Sequence, residues 1–250
     1  MSSKLKLSIC GGYDKKGNRE CVDQIVLTEG MIVGVVGPTG SGKSTLINDI
    51  EQLACGDTFS KRQILINDEK PSLELRTDPN KKIIAQLSQN MHFLTDIPVR
   101  EFLVLHARSR RKPVELVDGV IDLANTISGE MIEPDTPLTI LSGGQSRALM
   151  IADIAIISQS PIVLIDEIEN AGIKKRESLE ILTRKGKIVL IITHEPMVAL
   201  MSEMRIVMAQ GGIRDVVRTT EREKGILEEL VKFDEYSMGL REQIRKGVNL

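Results

Sequence analysis

The stretch GPTGSGKST, residues 37–45, decides the fold. It follows the apolar run MIVGVV and precedes the helical pattern STLINDIEQLA, so a strand, a glycine-rich loop and a helix come in that order. The spacing matches G-x-x-x-x-G-K-[ST], in which glycines let successive backbone N–H groups point at a phosphate and the helix N-terminus adds its positive end. We therefore predict a phosphate-binding loop at the end of a buried strand.

The residue types in this loop each suit a phosphate ligand. Lys43 supplies a mobile positive charge for the β- and γ-phosphates, and the Ser44 hydroxyl is a hard oxygen ligand for Mg²⁺. The predicted phosphate-binding residues are consecutive: Gly37, Pro38, Thr39, Gly40, Ser41, Gly42, Lys43, Ser44 and Thr45.

Short β-branched runs alternate with helical patterns along the chain, which predicts an α/β fold, a P-loop core with a mainly parallel sheet. The later runs PIVLI and KIVLII are apolar throughout, as in strands buried on both faces. The first 28 residues alternate instead, which predicts N-terminal antiparallel strands. The predicted strands cover 4–9, 21–28, 31–37, 62–67, 82–87, 161–166, 187–193 and 204–209.

The pattern between the phosphate loop and the later strands is helical. PVREFLVLHARSR and PVELVDGVIDLANTI read as two helices with no strand between them, so we predict an inserted helical subdomain at 89–145. The P-loop core then comprises residues 1–88 and 146–220. The last residues, 221–250, are predicted as a C-terminal extension of one or two amphipathic helices.

Composition and charge exclude several classes of protein. No apolar run approaches the roughly eighteen residues of a membrane helix. A formal charge of −2, no Trp and few other aromatic residues provide neither a basic surface nor a stacking platform for nucleic acid. Three separated cysteines suit a reducing compartment. We expect a cytoplasmic protein that binds no nucleic acid and reaches the inner face of a membrane only through a partner.

Polar residues end two of the predicted buried strands. Asp166 and Glu167 follow IVLI, and Thr193 and His194 follow IVLII. The carboxyl ends of parallel strands face the ligand crevice, so Asp166 can hold Mg²⁺ and Glu167 can polarise a water aimed at the γ-phosphate. His194 can hydrogen-bond the γ-phosphate and orient Glu167, although a histidine at a strand end is more often structural.

A second glycine loop, LSGGQSRAL at 141–149, precedes another predicted helix. Together with GPTGSGKST, IVLIDE and THE, in this order, it makes the chain resemble the ATP-binding cassette (ABC) ATPases from about residue 4 to 218. The resemblance implies ATP binding and Mg²⁺-dependent hydrolysis in sites that two cassettes share head to tail. It also implies that four residues grip the γ-phosphate held by a second cassette: Ser142, Gly143, Gly144 and Gln145.

The resemblance carries over to two further positions. The family has a glutamine at the entrance to the helical subdomain that senses Mg²⁺ and the attacking water. Gln86 and Gln89 are both candidates, and counting back from VREF favours Gln89 as a catalytic residue and metal ligand. The family also stacks an aromatic residue on adenine. Tyr13 in GGYDKKG is the candidate, with a solvated loop tyrosine as the alternative.

The chain departs from the family pattern after the acidic pair. The family usually has an aspartate there that contacts the other subunit, but in EIENAGIK its position falls near Ile173. The distance from Asp166 to His194 is several residues shorter than usual, and the helix KKRESLEILTRK is trimmed. The basic run HARSRRKP, residues 106–113, fits either a solvated loop or a docking surface for an acidic partner.

The resemblance favours the nucleotide-binding subunit of a membrane transporter that has separate membrane-spanning chains. The altered loop and the trimmed helix point to an alternative, a soluble ATPase that remodels or assembles a protein or cofactor complex. Either function implies ATP and Mg²⁺ as cofactors. The implied partners are a second cassette, identical or closely homologous, and a membrane-spanning subunit or a soluble client protein.

Overall fold

A three-stranded antiparallel sheet opens the fold. The computed structural model describes residues 4–88, 93–158, 160–168 and 173–247. The first sheet has the order β2-β1-β4, formed by β1 (Lys6–Cys10), β2 (Gln24–Thr28) and β4 (Gln63–Ile66). Leu7, Ile9 and Leu27 are buried on its inner face. The alternating pattern of the first 28 residues therefore does build a half-exposed antiparallel sheet.

The second sheet has six strands in the order β5-β6-β7-β3-β8-β9. They are β3 (Ile32–Val36), β5 (Ile84–Leu87), β6 (Ile162–Asp166), β7 (Ile188–Ile192), β8 (Met204–Ala209) and β9 (Gly212–Arg218). All neighbours in the sheet pair in parallel except β8 and β9. The predicted α/β fold with a mainly parallel sheet is confirmed. Strand β9 was not predicted, because the charged residues of GIRDVVR interrupt its apolar pattern at the sheet edge.

Helices cover both faces of this sheet. They are α1 (Lys43–Glu51), α2 (Leu73–Thr77), α3 (Val99–Ser109), α4 (Leu116–Ile127), α5 (Gly143–Asp153), α6 (Lys175–Arg184), α7 (Pro196–Met201) and α8 (Glu221–Arg245). Short 3₁₀ turns occur at Pro79–Lys81 and Leu138–Ile140, and a π-helical turn at Ile154–Ser158 continues α5.

Successive residues of the central strands face opposite layers. Leu164 and Leu190 pack in the cluster that contains α1 and the antiparallel sheet. Val163 and Val189 pack in the cluster that contains α5, α6 and α7. Because both faces are covered, all five residues of β7 are buried, as its uninterrupted apolar sequence predicted.

The inserted segment forms a helical cluster of its own. Val99, Leu103 and Val120 of α3 and α4 pack with Leu149 and other residues of α5. The other face of α5 packs against the sheet. The predicted boundary between residues 145 and 146 thus lies inside α5, and the division into domains stays a prediction.

The C-terminal segment contains one continuous helix, which is one of the two forms predicted. Leu227, Leu230 and Val231 of α8 pack against the cluster around α6 and α7. Among the described residues, the structure has no helix with both the length and the apolar character needed to cross a bilayer.

A buried ionic cluster connects the two sheets to the phosphate-loop helix. Arg62 is fully buried and pairs with Glu20 and with Asp49 of α1, the latter with 2.7 Å between Nη1 and Oδ2. Glu20 also accepts the backbone N–H groups of Gly12 at 2.8 Å and Ile213 at 2.7 Å. Because Arg62 pairs with both carboxylates and further donors bond each of them, every charged group in the cluster has a partner despite its burial.

Candidate functional site

The predicted phosphate loop has a backbone that glycine alone suits. Gly37, Gly40 and Gly42 have φ angles of 145°, 76° and 100°, in the left-handed region. A Cβ atom on Gly42 would lie 2.7 Å from the Cα atom of Gly211, in the turn between β8 and β9. The loop is therefore curled tightly against that turn, and the Gly211 N–H donates to the Ser41 carbonyl at 2.8 Å.

The helix that follows the loop suits an anionic ligand. No side chain caps the N-terminus of α1, and its first turn contains no acidic residue. The uncapped N–H groups and the helix dipole both favour negative charge there. Lys43 is 8% exposed, and its Nζ donates to the carbonyls of Gly37 at 2.8 Å and Pro38 at 3.2 Å.

A cavity of about 330 Å³ lies at the mouth of this loop. It is lined by Lys15, Thr39, Gly40, Gly42, Lys43, Ser44, Thr45, Asp166, Glu167, Ile192 and His194. Three predicted groups, from the phosphate loop and from the ends of β6 and β7, therefore meet in one place. The register of the parallel sheet brings them together, because Asp166 pairs with Ile192 at the carboxyl end.

Glu167 has an unusual backbone conformation. Its φ is 50°, in the left-handed region that non-glycine residues rarely adopt. Its N–H donates to the Ile192 carbonyl at 3.1 Å, which holds the residue beside the end of β7. Strained backbone of this kind is retained where the surrounding structure imposes it, most often at functional sites.

The oxygen donors in the cavity fit a magnesium ion. The Ser44 hydroxyl and the Asp166 carboxylate line the same space, and both are hard oxygen ligands. Among the described ranges, no three His, Cys, Asp or Glu side chains form a metal-binding cluster. That donor set fits Mg²⁺, which takes few protein ligands and completes its shell with water and substrate phosphates. Gln89, the third predicted ligand, lies outside the described residues.

The four predicted residues of the second glycine loop, Ser142 to Gln145, are called the signature residues, and they lie apart from this cavity. Ser142 and Gly143 are exposed at the N-terminus of α5, and none of the four predicted signature residues is among those lining the cavity. The Ser142 hydroxyl accepts the Gln145 N–H at 3.2 Å, and Gln145 Oε1 accepts the Ser142 N–H at 2.9 Å. Gln145 Nε2 donates to the Met131 carbonyl at 2.7 Å. This capping box fixes the loop and leaves its outer face accessible.

Tyr13 lies outside the lining of the cavity. Its side chain is 43% exposed, and the Lys61 ammonium lies 5.8 Å from the ring centroid. Lys15, two residues later, was not predicted but does line the cavity, and its Nζ donates to the Gly40 carbonyl at 3.0 Å. The sequence carried no signal for Lys15 other than its closeness to Tyr13.

Arg147 is a second residue whose position the sequence did not predict. It lies on α5 and is 5% exposed. Its guanidinium donates to the carbonyls of Glu167 at 2.5 Å and Ser88 at 3.0 Å. One buried side chain thus connects the signature helix to the backbone of the acidic pair and to the residue before Gln89.

The structure describes only part of the segment EIENAGIK, in which the sequence departs from the family pattern. Ile173 is 3% exposed and packs in the hydrophobic cluster around α6 and α7, so the position that the family gives to an aspartate is apolar here. The loop before it, residues 169–172, lies outside the described residues. Gln86, the alternative glutamine, lies within β5 opposite Leu164.

Comparison with known proteins agrees with these observations. The family described as ABC transporter matches residues 24–170. An uncharacterized ABC transporter ATP-binding protein of Methanocaldococcus jannaschii is 60% identical over 246 residues, which cover 98% of this chain and 94% of that protein.

Two solved structures share the fold. One is the ADP conformation of an ATP-binding cassette of an ABC transporter, with a TM-score of 0.64, 21% identity, and coverage of 94% of this chain and 99% of that chain. The other is cbiO1 of Clostridium perfringens, part of an ABC transporter complex, with a TM-score of 0.65, 20% identity, and coverage of 95% and 98%. The chain therefore belongs to the ABC transporter family, as one of its ATP-binding cassettes.

Proposed function

We propose that the chain hydrolyses ATP to ADP and phosphate, with Mg²⁺, in a site completed by a second cassette. The observation that carries the proposal is the cavity that unites Lys43, Ser44, Asp166, Glu167 and His194. The strand-end carboxylates lie beside a phosphate loop, which is the arrangement that nucleotide hydrolysis requires.

Each lining residue has a proposed role. Lys43 exchanges its two carbonyl partners for phosphate oxygens and neutralises the charge that develops on the γ-phosphate. Glu167 orients or deprotonates the attacking water, and His194 holds the γ-phosphate in place. Ser44, Asp166 and Gln89 would hold Mg²⁺, which supplies charge neutralisation on the phosphates.

The signature loop supports a shared site. Ser142 and Gly143 are exposed and lie outside the chain's own cavity. Their glycine backbone at a helix N-terminus suits a phosphate bound by another molecule. A γ-phosphate held between two cassettes would make their association depend on ATP and their release depend on hydrolysis.

The proposed partners follow from the relatives. The M. jannaschii protein is an ABC transporter ATP-binding protein, so we propose that this chain is the nucleotide-binding subunit of a membrane transporter, at the cytoplasmic face. A separate membrane-spanning subunit would then receive the movement of the dimer. We also propose that the P-loop core and the inserted helical subdomain move as separate units.

A pair of variants tests hydrolysis. Lys43→Ala should abolish nucleotide binding because it removes the cation of the phosphate loop. Glu167→Gln should bind ATP with normal affinity but hydrolyse it about 100-fold or more slowly, because an amide cannot accept the proton of the water. Phosphate release measures ATP hydrolysis by each variant, and a nucleotide titration measures its affinity for ATP. Normal turnover by Glu167→Gln would remove that residue from its role.

The same variant identifies the partner. Glu167→Gln should form a stable dimer with MgATP, whereas Glu167→Gln combined with Lys43→Ala should not, as measured by light scattering. Recovered from its host extract with MgATP, the tagged dimer should copurify stoichiometric integral membrane proteins. Soluble partners that persist without detergent would contradict the transporter role and favour a remodelling or assembly ATPase.

A further inference from the structure

A second cavity lies at the opposite end of the parallel sheet from the nucleotide cavity. Its volume is about 470 Å³, and it is lined by Glu29, Leu116, Ala155, Ile156, Pro161, Lys185, Gly186 and Lys187. Pro161 and Lys187 each directly precede a sheet strand, whereas Asp166 and Ile192 end the same two strands. The two cavities are therefore separated by the length of a five-residue strand, about 15 Å.

Lys187 is the buried charged residue of this basal cavity. It is 5% exposed, and its backbone is held on both sides. Its N–H donates to the Leu182 carbonyl at 3.1 Å, and its carbonyl accepts the Gly30 N–H at 3.1 Å. No described residue accepts a hydrogen bond from the Lys187 ammonium. The ammonium is not among the fully buried groups that lack a partner, so the largely buried Lys187 side chain brings its charge to accessible space at the cavity.

The charges around Lys187 do not compensate it. The pKa of Lys187 falls from 10.5 to about 8, mainly because of burial and to a smaller extent because of the positive charges of Lys185 and Lys112. Among the described residues that line the cavity, Glu29 alone is acidic; it is exposed, and its Oε1 accepts the Leu5 N–H at 2.9 Å. Two lysines, Lys185 and Lys187, therefore line the cavity together with a carboxylate that already accepts a backbone N–H group. Burial of the Lys187 side chain costs free energy, and an anion in the cavity would be attracted by both ammonium groups and offset part of that cost.

We propose that the basal cavity is a binding site for a small oxyanion, a phosphate or a carboxylate group, held by Lys187 and Lys185. Its size is within the range of small-ligand cavities. The walls at Leu116, Ile156 and Pro161 can contact an apolar body attached to the anionic group. Since the Lys187 side chain is largely buried, a ligand must enter the cavity to reach its ammonium group, which favours a small molecule.

The position of the cavity gives such a ligand a regulatory route. Leu116 and Ile156 pack with the helical cluster, whereas Lys187 directly precedes β7 of the parallel sheet. Ile156 lies in the π-helical turn that continues α5, and the signature residues begin the same helix. A bound anion would hold the helical cluster to the core from below and stiffen the base of the signature helix. The binding site itself does not rest on the proposed hydrolysis.

Sulfate is the probe for the test, because it stays doubly charged across the pH range used. Equilibrium dialysis of radiolabelled sulfate uses the full chain with its phosphate loop saturated by ADP, so that the loop itself contributes no binding. One sulfate should bind per chain. Lys187→Met should weaken this binding about tenfold or more, because it removes a charge-assisted hydrogen bond. Lys70→Met, at an exposed lysine far along the chain, should leave it unchanged.

Two further measurements keep the test independent of folding. ADP affinity and circular dichroism establish that Lys187→Met is folded. Lys185 has an exposed side chain, so Lys185→Met should fold normally and weaken sulfate binding severalfold. The wild-type affinity should also fall from about pH 7 to about pH 9.5, because Lys187 loses its proton there. Equal sulfate binding by the wild type and both variants, or an affinity independent of pH, overturns the proposal.

Competition identifies the chemical source of the anion. Displacement of sulfate by inorganic phosphate at lower concentration than by butyrate assigns a phosphate site. Displacement by butyrate at lower concentration than by acetate assigns a carboxylate with an apolar tail, since only butyrate reaches the walls at Leu116 and Ile156. Failure of phosphate, acetate and butyrate alike to displace sulfate contradicts the proposal.

Discussion

Two lysines share the carbonyl groups of the phosphate loop. Lys43 donates to Gly37 and Pro38, and Lys15 donates to Gly40 from a separate loop. Carbonyl groups of the loop that point away from a bound anion need donors, and Lys15 can keep its bond to Gly40 when Lys43 turns to phosphate oxygens. Because Lys15 also lines the cavity, its charge adds to that of Lys43 in attracting a polyanion.

Replacing Lys15 tests this contribution at the scale of one residue. Lys15→Ala should raise the dissociation constant for ATP about three- to tenfold, because a charge-assisted contact at the cavity is lost. Isothermal calorimetry measures it at low and high salt, and the effect should shrink as salt rises. Lys16→Ala, at the exposed neighbouring lysine, is the matched control. Equal affinities of the two variants would contradict the role.

At the scale of secondary-structure elements, α5 connects the two functional surfaces. Its N-terminus carries the exposed signature loop, and Arg147 anchors its first turns to the backbone of Glu167 and Ser88. The guanidinium is planar and rigid, so it can hold two carbonyl groups at fixed separation. A shift of α5 on contact with a second cassette would therefore move the backbone that carries the acidic pair.

The corresponding prediction separates catalysis from binding. Arg147→Gln should lower kcat about tenfold or more while changing KM for ATP less than about threefold, because the phosphate loop is untouched. Arg147→Lys should recover part of kcat, since one carbonyl can still be bonded. Arg100→Gln, at a partly exposed arginine paired with Asp118, is the control. A rise in KM with normal kcat would assign Arg147 to nucleotide binding instead.

At the scale of the whole molecule, buried charge is arranged in two different ways. The cluster of Arg62, Glu20 and Asp49 pairs every charge where α1 meets both sheets. Lys187 is buried at the base of the sheet beside other cations. The first arrangement stabilises the junction only while complete, and the second opposes folding whenever Lys187 is protonated.

Stability should therefore depend on pH through Lys187. Its folded pKa of about 8 lies below the ordinary 10.5, so between these values the unfolded chain binds more protons and stability rises with pH. Below about pH 8, Lys187 is protonated in both the folded and the unfolded chain, and the full free-energy cost of burying its charge lowers stability. Lys187→Met should raise the free energy of unfolding by about 1–3 kcal/mol at about pH 7, and by less at about pH 9.5.

Urea unfolding in buffers without phosphate or sulfate measures this difference, with Lys70→Met as the control for loss of an exposed lysine. An equal gain at both pH values would show that the effect comes from apolar packing of the methionine and not from the charge. A loss of stability at neutral pH would contradict the unfavourable burial of Lys187.

Most of the architecture was predictable because it depends on local properties of the chain. The phosphate loop needs φ angles that glycine supplies, and apolar runs or helical spacing mark the strands and α3 and α4. The acidic pair and His194 line one cavity with the phosphate loop, because strand order in a parallel sheet brings carboxyl ends together; their roles stay predictions. The sequence did not predict strand β9, because its pairing with β8, and not its own residue pattern, makes it a strand.

The sequence by itself determined the family, the α/β fold and the position of the glycine-rich loop between a strand and a helix, since motif spacing and periodicity are readable along one chain. Only the tertiary structure decided which other charges join these sites. Lys15 meets Gly40 across 25 residues, and Arg147 meets Ser88 across 59. Lys187 becomes a largely buried cation beside Lys185 only when separate turns and helices close around it. Such partners depend on folding in three dimensions, and no local pattern encodes them.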